Sequence, residues 1–251
     1  MRAALAAVVV ALAWPATAAA QPGAGVKVKQ GESLYAAHCL SCHGVAGKGI
    51  TSRAYPAGAL ELKGLGPPLR GVGALSADFY LSTGYMPLGN PHEQPRRTQS
   101  PFDKRQIDAL VAYVASLGKG PGIPHPHPER GDVSSGLALF TDHCAGCHQV
   151  VAEGGYVPNA VAPPLHQVDA VQIAEAVRVG PYLMPSFSKR QISDSQLDSL
   201  IAYVQYAKHP DDRGGWSIGR IGPVPEGLVA WLLAAAALVG CCLVIGRRLR
   251  A

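Results

Sequence analysis

The 251-residue chain is poor in charge and in aromatics: 16% of its residues are Asp, Glu, Lys or Arg, and 6% are Phe, Trp or Tyr. Set beside 48% hydrophobic residues, that balance excludes a disordered tail and a basic nucleic-acid-binding domain, so no nucleic-acid partner is expected. Six cysteines are too few to staple a chain of this size as a disulfide scaffold. The alternation that marks strands is weak throughout. Methionine is scarcer still, with only Met1, Met86 and Met184. The two internal methionines sit in similar surroundings, Gly84-Tyr85-Met86-Pro87 and Tyr182-Leu183-Met184-Pro185.

The formal charge of +5 is unevenly placed. Setting aside Arg2, Arg247, Arg248 and Arg250 leaves 18 basic groups against 17 acidic ones, so the body is nearly neutral. Residues 1–20 read as a secretory signal: Arg2, an apolar stretch from Leu5 to Trp14, and an A-x-A site at Ala16-Thr17-Ala18 or Ala18-Ala19-Ala20. The competing reading is an uncleaved anchor. Residues 227–246 are 20 positions without a charge, about 30 Å as a helix, which matches a bilayer core. Trp231 stands near one end, and the basic tail 247–251 closes the other. The positive-inside rule places that tail in the cytoplasm and everything between the leader and Glu226 outside. A single-pass protein of the cell membrane is expected. Cys241 and Cys242 lie inside the span and are read as small packing residues.

The body repeats itself. Gly31, Tyr35, His38, Cys39, Cys42 and His43 match Gly136, Phe140, His143, Cys144, Cys147 and His148. Pro67-Pro68-Leu69 matches Pro163-Pro164-Leu165, Met86-Pro87 matches Met184-Pro185, and Ala112-Tyr113-Val114 matches Ala202-Tyr203-Val204, in the same order. Two copies of one small domain, 27–118 and 134–210, explain this, joined by a Pro/Gly-rich semi-extended linker over 119–133. Linker histidines His125 and His127 are read as solvated. Each copy reads as helical, with a short helix leading into its cysteine pair, around Ser33–Cys39 and Ser134–Cys144. A final helix carries Ile107, Leu110, Val111 and Val114, repeated as Leu197, Leu200, Ile201 and Val204. Asp103 with Gln106, and Ser193 with Gln196, predict capping boxes at its start.

The chemistry lies in Cys39-Leu40-Ser41-Cys42-His43 and Cys144-Ala145-Gly146-Cys147-His148. C-x-x-C-H is the pattern of covalent haem c attachment: two thiols bond the macrocycle's vinyl groups and the adjacent His binds iron. About 0.005 such matches are expected by chance from this composition, and two occur. Zinc, two disulfides or a thioredoxin-like motif compete, but each leaves the paired His or the all-helical setting unexplained. A thioether completes a low-spin electron-transfer haem. One methionine per copy, at matched positions, assigns axial pairs His43/Met86 and His148/Met184 to two haem irons. Pro68 and Pro164, or their neighbours, are expected to hold a carbonyl against each imidazole N–H. Tyr85 and Tyr182 lie beside the methionines, Tyr113 and Tyr203 are expected to pack the last helix on the first, and His38 and His143 to sit on a helix surface. His92, His166 and His209 lack a matched partner.

At C-x-x-C-H, P-P-L and M-P the halves resemble class I cytochrome c domains, which implies an all-α fold of two tandem domains plus a C-terminal transmembrane helix. Gly180-Pro181, Met184-Pro185-Ser186-Phe187 and the stretch from Gly219 to Trp231 resemble the dihaem cytochrome cc subunit of actinobacterial-type cytochrome bcc complexes. That resemblance implies two covalent haem c groups on Cys39, Cys42, Cys144 and Cys147. It also implies single electrons passing from the Rieske iron–sulfur protein of a menaquinol-oxidising complex, which includes a cytochrome b subunit, to a haem–copper oxidase. No catalytic site of the chain's own is expected. The sequence departs from the family pattern in its short leader and in the Arg-containing stretch Asn90–Arg97. A membrane-tethered dihaem cytochrome serving another dehydrogenase or oxidase, or a dihaem peroxidase, are the competing functions. Charge differs between the copies: residues 21–120 carry 11 basic and 6 acidic groups, residues 131–212 carry 4 and 9. Opposite signs suit domain–domain attraction or distinct docking faces, and ordinary solvated surface equally.

Overall fold

A computed structural model describes residues 22–50, 66–88, 97–158, 160–209 and 223–250. The leader read over residues 1–20 lies outside the described residues, as does most of the Asn90–Arg97 stretch. Two units are distinguished, residues 1–208 and 209–251.

The first unit holds both repeats. In the first, α1 (Pro22–His38) runs into α2 (Leu40–His43), followed by α3 (Gly73–Ser82) and α4 (Lys104–Ser116). In the second, α5 (Val133–His143) and α6 (Ala145–His148) precede α7 (Ala170–Val179) and α8 (Asp194–Lys208). The helix ahead of the first cysteine pair is longer than its sequence pattern suggested, 17 residues instead of a short helix around Ser33–Cys39. A two-stranded antiparallel hairpin, β1 (Gly155–Val157) and β2 (Ala160–Ala162), also appears where no alternation had marked it. At three residues a strand, it is too short to leave a periodic signal.

The first and last helices of each repeat cross at glycine. A Cβ on Gly31 would lie 2.0 Å from the Ala109 carbonyl oxygen, and one on Gly136 equally close to that of Ser199. Bare backbone at the crossing lets the apolar stripes meet. Leu110, Val111 and Val114 of α4 are buried, as are Leu197, Leu200, Ile201 and Val204 of α8. Ring pairs finish both crossings, Tyr35 with Tyr113 at 5.1 Å and Phe140 with Tyr203 at 5.4 Å, as expected for the two last-helix tyrosines. Both capping boxes form. Asp103 accepts from the Gln106 N–H while the Gln106 side chain accepts from the Asp103 N–H; Ser193 and Gln196 do the same.

The linker is docked along its length. The Leu75 N–H donates to the Pro121 carbonyl at the start of α3. Farther on, the His127 N–H donates to Asp198 Oδ1 of α8 at 2.7 Å, and the Asp132 N–H to Ser199 Oγ at 3.1 Å. His127 is engaged as well, its Nδ1 lying 3.0 Å from Glu129 Oε1. Proline-rich sequence predicts stiffness but says nothing of which surface the segment lies on. The repeats also meet directly through α3 and α7.

The second unit contains α9 (Pro223–Arg250), whose span 227–249 holds an 18-residue window of mean hydropathy 2.7 and exposes its apolar side chains. Among the described residues it is the one helix long and apolar enough to cross a bilayer. Arg247 and Arg248 continue this helix.

Candidate haem sites

Each cysteine motif is bent into position by one break in the helix. Cys39 (φ −119°, ψ −26°) and Cys144 (φ −122°, ψ −36°) separate α1 from α2 and α5 from α6. The hydrogen bonding continues across the break: the Cys39 N–H donates to the Tyr35 carbonyl and the His43 N–H to that of Cys39. Cys144 and His148 repeat this pattern with Phe140 and Cys144. Spacings of three and four residues in a helical turn bring both thiols and the imidazole to one face.

The chain then turns sharply in the same way twice. Gly44 (φ 70°), Gly47 (φ 62°) and Gly49 (φ 77°) occupy the left-handed region, and 105 residues later so do Gln149 (φ 59°), Ala152 (φ 61°) and Gly154 (φ 75°). The N–H groups of Gly49 and Gly154 donate back to the carbonyls of His43 and His148. These turns deliver the proline pairs to the imidazoles. His43 Nδ1 lies 2.9 Å from the Pro67 carbonyl oxygen, and His148 Nδ1 3.1 Å from that of Pro163. The carbonyl, expected at Pro68 and Pro164 or a neighbour, is that of the first proline of each pair. Gly49 and Gly154 sit against the Pro68 and Pro164 nitrogens, so the turn presents the preceding carbonyl to the ring. With Nδ1–H donating, each Nε2 keeps its lone pair for a metal. Burial lowers the His148 pKa, which favours that neutral form. Burial also pushes the Cys39 and Cys144 thiols up to about 11.

Tyrosine ties the turn to the helices by different routes in the two copies. Tyr35 donates to the Gly44 carbonyl at 2.7 Å and accepts from the Gly47 N–H. The matching residue Phe140 has no hydroxyl, and Tyr203 of the last helix donates instead to the Val150 carbonyl at 2.6 Å. His166, unmatched in sequence, reaches the Val151 carbonyl at 2.7 Å.

In the second repeat Cys144, Cys147, His148 and Met184 line one cavity whose other walls include Phe140, Leu165, Ile173 and Phe187. Two thiols, one imidazole nitrogen and one thioether around an apolar slot fit a covalently attached haem. His143 reaches the same cavity, its ring 5.7 Å from Phe187. In the first repeat Cys39 and Met86 both pack on the core built by Tyr35, Leu81 and Leu110. Each methionine is set by a backbone bond, Met86 N–H to the Tyr80 carbonyl and Met184 N–H to that of Pro181, both 3.0 Å.

Three features had no sequence signal. Phe79, Thr83, Tyr85 and Arg97 of the first repeat form part of the second repeat's cavity. Tyr80, Tyr85 and Tyr182 cluster between the two methionine loops, with Tyr80 and Tyr182 rings 6.1 Å apart. Glu175 of α7 is fully buried, and neither of its oxygens has a hydrogen-bond partner of good geometry. Its surroundings are acidic, with Asp78 of α3 facing it and Asp169 nearby. Burial and the Asp78 carboxyl push Glu175 up to about 9, so it is held as the neutral acid.

Residues 28–118 match the cytochrome c family model, and residues 131–204 match that of cytochrome c oxidase, cbb3-type, subunit III. A cytochrome bc1 complex cytochrome c subunit of Mycobacterium tuberculosis is 35% identical over 93% of this chain and 82% of its own length. One from Corynebacterium diphtheriae is 32% identical over 92% and 84%. A cbb3-type cytochrome c oxidase subunit CcoP of Azospirillum is 29% identical over 72% of this chain and 62% of its own length. Two cytochrome c repeats in tandem, matched almost end to end by such relatives, place this electron carrier in the family of cytochrome bc1 complex cytochrome c subunits.

Proposed function

We propose that each repeat carries one haem c, bonded to Cys39 and Cys42 or to Cys144 and Cys147, whose iron would be held by His43 and Met86 or by His148 and Met184. The haem iron, when bound, supplies reversible one-electron chemistry. The chain's own work is to hold that iron. The Pro67 and Pro163 carbonyls orient the imidazoles, the apolar walls exclude water, and the Tyr80 and Pro181 carbonyls seat the methionine loops. The observation that carries the reading is the geometric equivalence of the two motifs, down to the left-handed turn and the imidazole–carbonyl bond.

Within a bc1-type complex the chain takes electrons from the Rieske iron–sulfur protein, beside cytochrome b, and passes them to a haem–copper oxidase. The helix over residues 227–249 anchors it, with the repeats outside the cell membrane and Arg247 and Arg248 in the cytoplasm. Haem quantification of the denatured chain tests the cofactor: two covalent haems per chain are expected, and one or none refutes it. Purification in mild detergent tests the assembly, since cytochrome b and the Rieske protein should accompany the chain. A second reading, a tethered cytochrome feeding an oxidase directly, draws on the cbb3-type match of residues 131–204. An oxidase found without cytochrome b or the Rieske protein would favour it.

A further inference from the structure

The second repeat's cavity is short of one thing its cofactor needs. A haem c bears two propionate carboxylates, and a buried or half-buried carboxylate requires donors or a cation. Of the described residues lining the cavity, Arg97 alone carries a permanent charge, and it belongs to the first repeat. The second repeat's own cations do not line it, and three of the four are engaged elsewhere. Arg178 donates to the Phe187 and Ile192 carbonyls and to Asp194. Lys189 pairs with Asp194 at 2.7 Å, and Lys208 donates to the Val168 carbonyl.

Arg97 is held at the cavity by the second repeat. Its Nη2 donates to Gln172 Oε1 at 2.7 Å, and Gln172 lines the same cavity. Gln172 is itself fixed twice, by its N–H to the Asp169 cap at 2.8 Å and by its side-chain amide to Ser82 Oγ of the first repeat at 3.4 Å. The Gln172 bond uses one of five guanidinium N–H donors, arranged in a planar fork suited to a carboxylate.

We propose that the second haem site is built by both repeats, with Arg97 as the cationic partner of that haem's propionate edge and Tyr85 closing the same side. The inference rests on the two-haem reading above. It gives the charge asymmetry of the repeats a local purpose: the basic copy lends a cation to the acidic copy's cofactor. A fixed positive charge beside a haem disfavours the more positive oxidised state, so Arg97 holds the second haem's potential up.

Redox titration of the intact, haem-loaded chain in detergent tests this. The second haem is the component that Met184→His lowers. Arg97→Gln is expected to lower that same component, by up to about tenfold in its reduction equilibrium constant, 59 mV for a one-electron couple. The first component stays in place. Arg97→Lys keeps the charge but loses the fork and lowers it by less. An unmoved second component in Arg97→Gln overturns the proposal, as does an equal fall in both components. Where Arg97→Gln does not accumulate, Arg97→Met removes the same charge, and an unmoved second component in that variant overturns the proposal too. A wild-type chain with no second haem component refutes the two-haem reading instead.

Discussion

The Tyr85 and Tyr182 rings meet 5.5 Å apart at 67°, an edge-to-face contact between the two loops that carry Met86 and Met184. Tyr85 directly precedes its methionine, and Tyr182 precedes the other by two residues at φ 55°, a left-handed backbone uncommon for a bulky side chain. The methionine loops of the two repeats therefore touch through tyrosine.

A double-mutant cycle measures that contact. Tyr85→Leu and Tyr182→Leu should show a coupling of about 0.5–1.5 kcal/mol in denaturant unfolding. A coupling indistinguishable from zero would mean that the rings are merely adjacent.

The glycine crossings permit little. Gly31→Ala and Gly136→Ala each drive a methyl into a carbonyl on the facing helix, and each should cost about 1–3 kcal/mol or more in unfolding free energy. Gly146, whose Cβ would meet nothing within 4 Å, serves as the control: Gly146→Ala should unfold at the wild-type midpoint.

Met184→His replaces a thioether with an imidazole and leaves Cys144 and Cys147 untouched. The second haem's potential should fall while the haem stays covalently bound through denaturing electrophoresis. An unchanged potential would remove Met184 as the sixth ligand.

Glu175 makes stability depend on pH. Its carboxyl, 4.5 as a free side chain, is pushed up to about 9 in the fold. Between those values the folded chain holds a proton that the unfolded chain has released. Stability is then highest below the lower value and falls with rising pH until the upper one is passed, by at most about 1.4 kcal/mol per pH unit. The partly buried Asp78 is raised as well, which acts in the same direction. Glu175→Gln keeps a neutral, uncharged group in place and should flatten the profile. Denaturation midpoints at about pH 6 and about pH 8 check this, and a slope as steep in Glu175→Gln as in wild type would assign it to other groups.

How far the sequence was legible varies by residue. The attachment motifs, the capping boxes at Asp103 and Ser193 and the apolar stripe of the last helix were all readable, because each is set by contacts within about four residues. The imidazole partner was read to within one position. Pro67 is the acceptor, and Pro68 lies so near Gly49 that a Cβ there would meet the Pro68 nitrogen at 2.6 Å, a closeness between residues well apart in the chain. The hairpin over residues 155–162 was invisible for want of length, and the docking of the linker for want of any local signal.

What the amino-acid order determined by itself is the repeated chemistry: two C-x-x-C-H motifs, one methionine for each, and an apolar stretch long enough to cross a bilayer. Covalent attachment needs thiols at fixed spacing, a helix stripe needs a period, and a span needs length, so all three are written locally. The tertiary structure decided the junction between the copies. Arg97 faces the second cavity, Tyr85 meets Tyr182, and Glu175 is buried opposite Asp78 because α3 packs on α7. Side chains about 75 to 100 positions apart share a site only when the elements carrying them are packed together, and no local pattern records that packing.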